Sequence, residues 1–136
     1  MSCISRKYII SQNQIFISGH ASKKNEKLLY EGIVGETVTV EHAKESMICA
    51  LYNCLAVIRE AKQLENVDCF LNIRCYVAIV PALYKEISEI SDVLTKKIYE
   101  IFGEQGEHAR TTVGVSVLPG NTPVEVEMTV KLKEAV

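Results

Sequence analysis

HARTTVGVSVLPGNTPVEVEMTVKL, residues His108 to Leu132, is the stretch whose reading decides the fold. It holds two alternating runs around a turn. In the first, Thr111, Val113, Val115 and Val117 share one face, and Arg110, Thr112, Gly114 and Ser116 the other, because side chains alternate along a strand. Leu118 to Pro123 is dense in turn formers, with Pro119-Gly120-Asn121 at its centre. In the second run Val124, Val126, Met128, Val130 and Leu132 point one way, and Glu125, Glu127, Thr129 and Lys131 the other. The pattern predicts a hairpin in which the apolar faces merge into one core surface. The opposite face then carries Arg110 together with Glu125 and Glu127. Such a face is often merely solvated. Two features point to a ligand instead. Thr112, Gly114 and Ser116 are small, as though something approaches the sheet closely. Arg110 begins its strand beside a turn, where a fixed guanidinium can clamp a carboxylate.

Upstream, Lys7–Ser11 and Gln14–Ser18 read as strands around Gln12-Asn13, with Gly19 and a polar loop after them. Gly19 beside Ser18 leaves a backbone N–H free to meet a ligand, or simply bends the strand end. Leu28 to Tyr30 reads as a short extended edge. Thr39 is a predicted N-cap for a helix running to about Lys62, with Glu41 favourable in its first turn. Ala43, Met47, Ala50, Leu51, Cys54, Leu55 and Ile58 recur at helical spacing and form its core stripe. Val67 to Ile79 reads as a long strand. Strict alternation puts Cys69, Leu71, Ile73, Cys75 and Val77 on its core face, with Phe70, Asn72, Arg74 and Tyr76 on a mixed face suited to meeting another subunit. A second helix is predicted over Leu83–Phe102, with Ile87, Ile90, Leu94, Ile98 and Ile101 as its stripe and Gly103 ending it. The order is β-β-(β)-α-β-α-β-β, an α+β sheet with both helices on one face.

At 136 residues the chain fits one domain, residues 1–136, and its hydrophobic fraction of 48% is enough for a core. A net charge of −2 leaves no basic footprint for nucleic acid. No apolar run is long enough to span a bilayer, and MSCISRKYIIS lacks a signal-peptide core, so a cytoplasmic protein is expected. The five cysteines are odd in number and form no CxxC, and His20, His42 and His108 are scattered. Reduced thiols and no metal site are the expectation.

These segments resemble the RidA (YjgF-type) family. The residues that carry the likeness are Ile15-Phe16-Ile17-Ser18-Gly19, the Thr39–Lys62 helix, His108-Ala109-Arg110-Thr111, Val113 to Pro119, and Val124 to Glu127. Tyr30-x-Gly-x-Val-Gly and Phe102-Gly-Glu-x-Gly-x-His-Ala-Arg are similar to a chorismate-mutase-like subgroup. The resemblance implies a mixed sheet of the bacillus-type chorismate mutase kind, β-β-α-β-α-β-β, and a homotrimer with a cleft at each subunit interface. It implies that Arg110 grips a small carboxylate, that Ser18, Gly19 and Thr112 help bind it, and that Glu125 positions a water. The reaction implied is hydrolysis of a reactive enamine or imine to a keto acid and ammonia, with no metal or organic cofactor. The chain departs from active members in three places. Their tyrosine in a Gly-Pro-Tyr type loop has no counterpart, since Tyr8 lies too close to Ser18. Thr112 stands where a cysteine is frequent. Gly114 replaces a larger residue, which predicts a cleft that is wider or partly unlined.

Several functions fit this reading. One is an enamine/imine deaminase with Arg110 as clamp and Glu125 as water activator. Another is a non-catalytic protein that senses or sequesters a carboxylate metabolite. An endoribonuclease or inhibitor of translation is disfavoured by the acidic balance. A chorismate mutase would need more cations than Arg110 and Arg74 supply. His108 shares the Arg110 face in an extended chain; it either tunes the cleft by titrating or orders the turn after Gly106, and the turn role is preferred.

Overall fold

The computed structural model describes residues 3–134. Two helices form where the sequence gives both a stripe and a stop. Helix α1 spans Val40–Lys62, and Thr39 caps it by accepting the His42 N–H at 3.0 Å. All seven residues of its expected stripe are buried, and the helix lies over β2 (Gln14–Ala21) and β7 (Val124–Leu132). Helix α2 starts later than expected. Pro81–Glu86 forms a 3₁₀ turn with Leu83 out of helical geometry, and α2 runs Ile87–Phe102. The helix ends on Gly103 at φ 64°, a left-handed angle that an L side chain resists. Ile90, Leu94 and Ile98 are buried as expected, but Ile101 is exposed. Phe102 turns inward instead, its ring 4.9 Å from that of Phe70.

The expected hairpin does not form. The main sheet runs β1 (Tyr8–Ser11), β2, β7, β5 (Val67–Ala78), β6 (Ala109–Val115). β5 therefore separates the two runs of the decisive stretch: β6 pairs with it in parallel and β7 antiparallel. Eight residues join β6 to β7, long enough to step over one strand, whereas tight hairpins use two to five. β7 sits at the centre, hydrogen-bonded to β2 on one side and β5 on the other. Two short strands, β3 (Lys23–Lys24) and β4 (Lys27–Leu28), make a small ribbon beside α1. Asn53 pins it by donating to the Ala21 and Lys23 carbonyls, both at 2.9 Å.

Two bulges in β5 overturn strict alternation there. The register against β7 skips a residue at Asp68 and again at Leu71. Each extra residue reverses the phase. Phe70 is thereby buried among the core side chains with Ile73, Cys75 and Val77, while Cys69 and Leu71 are only half-buried. β6 holds the larger correction. In register Arg110 lies beside Ile73 and Thr112 beside Cys75, so both face the helices. Glu125 and Glu127 lie beside Tyr76 and Arg74 on the open face. Arg110 and the two glutamates are on opposite sides of the sheet. The valines of β6 did not settle its orientation because it is an edge strand; Val113 is 41% exposed on the open face.

That open face carries a charged cluster. Arg74 Nε donates to Glu127 Oε1 at 2.8 Å, and the Tyr76 hydroxyl donates to the same oxygen at 2.5 Å. A second Arg74 nitrogen donates to Asn72. Burial works to raise the Glu127 pKa, but the hydrogen bonds from Arg74 and Tyr76 and the charge of Arg74 outweigh it and hold the carboxyl below its ordinary 4.5. A depressed carboxylate adds stability above its unfolded pKa and loses it as pH falls through the folded value. Glu127→Gln is therefore expected to be less stable than the wild type at neutral pH and to show a flatter loss of stability below about pH 4.5. Urea melts at pH 7 and pH 3 test this; equal acid sensitivity in both proteins would refute it.

All five cysteines are free. Burial pushes the Cys75 thiol up to about 11, against the opposing charge of Arg110, and pushes the Cys54 thiol up as well. Among the described residues no cluster of His, Cys, Asp or Glu is placed to hold a metal ion, and no helix is long and apolar enough to cross a membrane.

Candidate functional site

The expected site residues fall into two clusters. The first surrounds a bulge in β2. Between Ile17 and His20 the register against β7 slips, which puts Ser18 and Gly19 in the bulge. Gly19 is there for clearance: a Cβ on it would sit 2.8 Å from Glu125 Cδ. The Glu125 carboxylate lies over the bare glycine in a cavity of about 380 Å³, with His20, Lys23, Pro119 and Gly120 around it. Ser18 turns away. Its hydroxyl donates to the Arg6 carbonyl at 2.5 Å and its N–H to the Lys7 carbonyl at 2.9 Å. β1 pairs with Gln14–Ile17 and the residues before it reach Ser18, so among the described residues β2 has no strand on its outer side from Gly19 onward.

The second cluster lies on the helix side of β6. Arg110 Nη2 pairs with Asp92 Oδ1 at 2.9 Å, and Nη1 donates to Thr95 Oγ1 at 3.0 Å. Thr95 Oγ1 is also 3.0 Å from His108 Nε2, and His108 Nδ1 is 2.7 Å from the Gly106 carbonyl. A carbonyl only accepts, so Nδ1 carries a ring proton; in the neutral ring Nε2 then accepts from the threonine hydroxyl. His108 thus orders the turn after Gly106, as preferred from the sequence, and also steadies Arg110 through Thr95. One turn earlier on α2, Thr112 Oγ1 donates to Ser91 Oγ at 2.7 Å, and Ser91 donates to the Ser88 carbonyl. Over Gly114 the room is already taken: a Cβ there would lie 2.8 Å from Ile87 Cδ1 and 3.0 Å from Ile79 Cγ2. The object that approaches the small residues of β6 is α2 of the same chain. Gly114 therefore widens nothing above itself. Beside it, an apolar cavity of about 430 Å³ opens between Ile33, Val80, Pro81, Tyr84 and Ile87.

The clusters do not meet within one chain. β7 and β5 stand between β2 and β6, roughly 14 Å at ordinary strand spacing, and the side chains point to opposite faces.

No family profile matches the sequence. The chain is similar to Protein TCP17 of Trypanosoma cruzi, with 30% identity over 127 residues that span 92% of this chain and 79% of TCP17. Among solved structures it is similar to Atu1372 of Agrobacterium tumefaciens, a protein of unknown function: TM-score 0.91, 28% identity, covering 96% of this chain and 83% of the other. The fold also matches YyfA, a Rid family protein of Yersinia pestis, at TM-score 0.68 and 18% identity over 96% of this chain and 91% of that one. The chain belongs to one family with TCP17 and has the fold of the YjgF/Rid proteins.

Two residues of the arginine cluster in this Rid-fold chain carry no signal in the sequence. Asp92 and Thr95 lie three apart on α2, beside the Ile90-Leu94-Ile98 stripe. Their spacing places them on one ridge, but nothing in α2 names the strand beneath that ridge. At the other cluster, the clearance between Gly19 and Glu125 gives a direct test. Gly19 has no left-handed φ, and the colliding atoms are the end of a flexible side chain. Gly19→Ala is expected to cost under about 1 kcal/mol of stability while forcing the Glu125 carboxylate aside. If Glu125 acts on water, turnover falls at least about tenfold, since misplacing a reacting group by an ångström has that scale of effect. Melting and rate measurements on one sample separate the two effects.

Proposed function

We propose that this Rid-fold protein binds a small carboxylate in a cleft between copies of itself and hydrolyses a reactive enamine or imine of amino-acid metabolism there. One observation carries the reading. Arg110, on the edge strand β6, and Glu125, on the central strand β7 one strand in from β2, stand on opposite faces of the same sheet, and both are groups the reaction needs. Among the described residues β6 has no outer strand, and neither has β2 from Gly19 onward. A second copy that seats its β6 against that stretch of β2 brings one chain's Arg110 toward the other's Glu125. Apolar residues on the open face, Ile9 at 51% and Phe16 at 44% exposed, supply area for self-association, and a homotrimer is the assembly proposed. The free cysteines fit a cytoplasmic location.

In this reading Arg110 holds the carboxylate of 2-iminopropionate, the tautomer of 2-aminoacrylate. Glu125 accepts a proton from water as its oxygen bonds to the imine carbon. Because the imine nitrogen enters protonated, the adduct is a neutral carbinolamine; Glu125 returns its proton to that nitrogen, the C–N bond breaks as ammonia leaves, and the hydroxyl gives its proton to Glu125 as the C=O closes. The alternative is a sensor that binds and does not turn over. The ion pair already made by Arg110 and the hydroxyl Ser18 spends on Arg6 favour it. Freshly generated 2-aminoacrylate, followed by keto-acid release above the buffer rate, decides between them. Release supports the enzyme; saturable binding without release supports the sensor.

A further inference from the structure

Asp92 is a charge that neither packing nor the proposed reaction uses. Its Oδ1 sits 2.9 Å from Arg110 Nη2, and its side chain is 63% exposed. Exposed ion pairs add little to stability, so folding gives weak reason for a carboxylate at this position. The pair also leaves capacity on both partners. Arg110 spends one N–H on Asp92 and one on Thr95 of the five a guanidinium has. A carboxylate accepts about four hydrogen bonds, and Asp92 has solvent around it.

We propose that Asp92 makes this site select ligands bearing a cationic nitrogen next to the carboxylate, α-amino and α-iminium acids, over keto acids that lack it. The inference rests on the reading that Arg110 holds the ligand's carboxylate. Arg110 alone would attract any small carboxylate. With Asp92 against the same guanidinium, a simple anion brings like charge to like charge, an arrangement that costs affinity. An α-amino acid carries opposite charges on two groups bonded to one carbon. Its carboxylate can take the spare Arg110 N–H groups while its nitrogen donates to Asp92, giving charge-assisted bonds at both ends. A site that first excludes the wrong charge pattern gains specificity by repulsion as well as attraction. The same logic acts along the proposed reaction. The substrate enters with a protonated nitrogen; the keto acid leaves without one, and Asp92 then opposes its retention.

L-alanine and pyruvate share a carbon skeleton and differ in the nitrogen, so they are the probes. Calorimetric titration of the wild type is expected to give at least about tenfold tighter binding for L-alanine, the scale of one charge-assisted contact. In Asp92→Asn, pyruvate should tighten and L-alanine weaken, so that their ratio falls by about tenfold or more, with a melting temperature near the wild-type value. Equal binding of the two probes by the wild type, or an unchanged ratio in Asp92→Asn, overturns the inference. Arg110→Ala separates this failure from failure of the clamp. If both probes bind the wild type alike and Arg110→Ala loses both, the clamp stands and the role of Asp92 falls. If Arg110→Ala retains binding, or neither probe binds the wild type, both readings fall together.

Discussion

Arg110→Ala is expected to remove both carboxylate binding and keto-acid release while leaving the fold intact. Each hydrogen bond to a charged group contributes about 1.5–3 kcal/mol, so losing a two-pronged grip of about 4 kcal/mol predicts a fall in kcat/KM approaching a thousandfold. The stability cost should be small, about 1 kcal/mol. The ion pair lost is exposed on the Asp92 side, and Thr95 keeps its bond to His108. Arg110→Lys keeps the charge but not the planar fork, and should recover only part of the activity. Rates with 2-aminoacrylate and a thermal melt on the same preparation make the test. Turnover unchanged in Arg110→Ala would sink the proposed function; turnover lost together with a collapsed melt would mean that Arg110 holds the edge strand in place.

Gly106→Ala should strike the fold and the site together. Gly106 is buried, and a Cβ on it would lie 2.6 Å from Ile98 Cγ2 and 2.8 Å from the Ile98 carbonyl oxygen. A side chain can rotate away; a helix carbonyl cannot. The 3₁₀ turn Gly103–Gly106 must therefore lift off α2, at roughly 2–3 kcal/mol for overpacking and a melting temperature lower by about 10 °C. The consequence reaches further because the Gly106 carbonyl holds His108, His108 holds Thr95, and Thr95 holds Arg110. Ligand affinity should drop although no residue near the ligand has changed. An unaltered melt would show that the turn yields more easily than this packing implies.

The parts that were legible in the sequence are those where two local signals coincide. α1 was readable at both ends because the Thr39 cap and the apolar stripe agree on where it lies. α2 was readable at Gly103 but not at its start, where Pro81 opens a 3₁₀ turn that apolar spacing does not distinguish from helix. β5 was placed almost to the residue, yet its inward face was misjudged, because Cys69 and Leu71 are as apolar as Phe70 and no residue type announces the two bulges. β6 was misoriented for a related reason. Its valines look like core, but hydroxyls and an isoleucine of α2 dock on the opposite side, against Thr112 and Gly114. Arg110 was conspicuous because it is a lone cation in an alternating run. Asp92 and Thr95 were not, since their pairing depends on strand order, a long-range property that no local pattern encodes.

The central position of β7 has a consequence for how the chain comes to fold. β7 is synthesised after every strand it joins, and among the described residues it alone is bonded to both β2 and β5. Until Val124–Leu132 is available, β1–β2 and β5–α2–β6 share no strand pairing and meet through α1, each presenting an unpaired edge. Contacts this distant in sequence close slowly, and exposed edges recruit other nascent chains in the meantime. Commitment to the native sheet therefore waits on the synthesis of β7. Substitutions in β7 are felt first as lost yield of folded protein, during an interval when the polypeptide depends on its surroundings to keep two half-sheets apart from their neighbours.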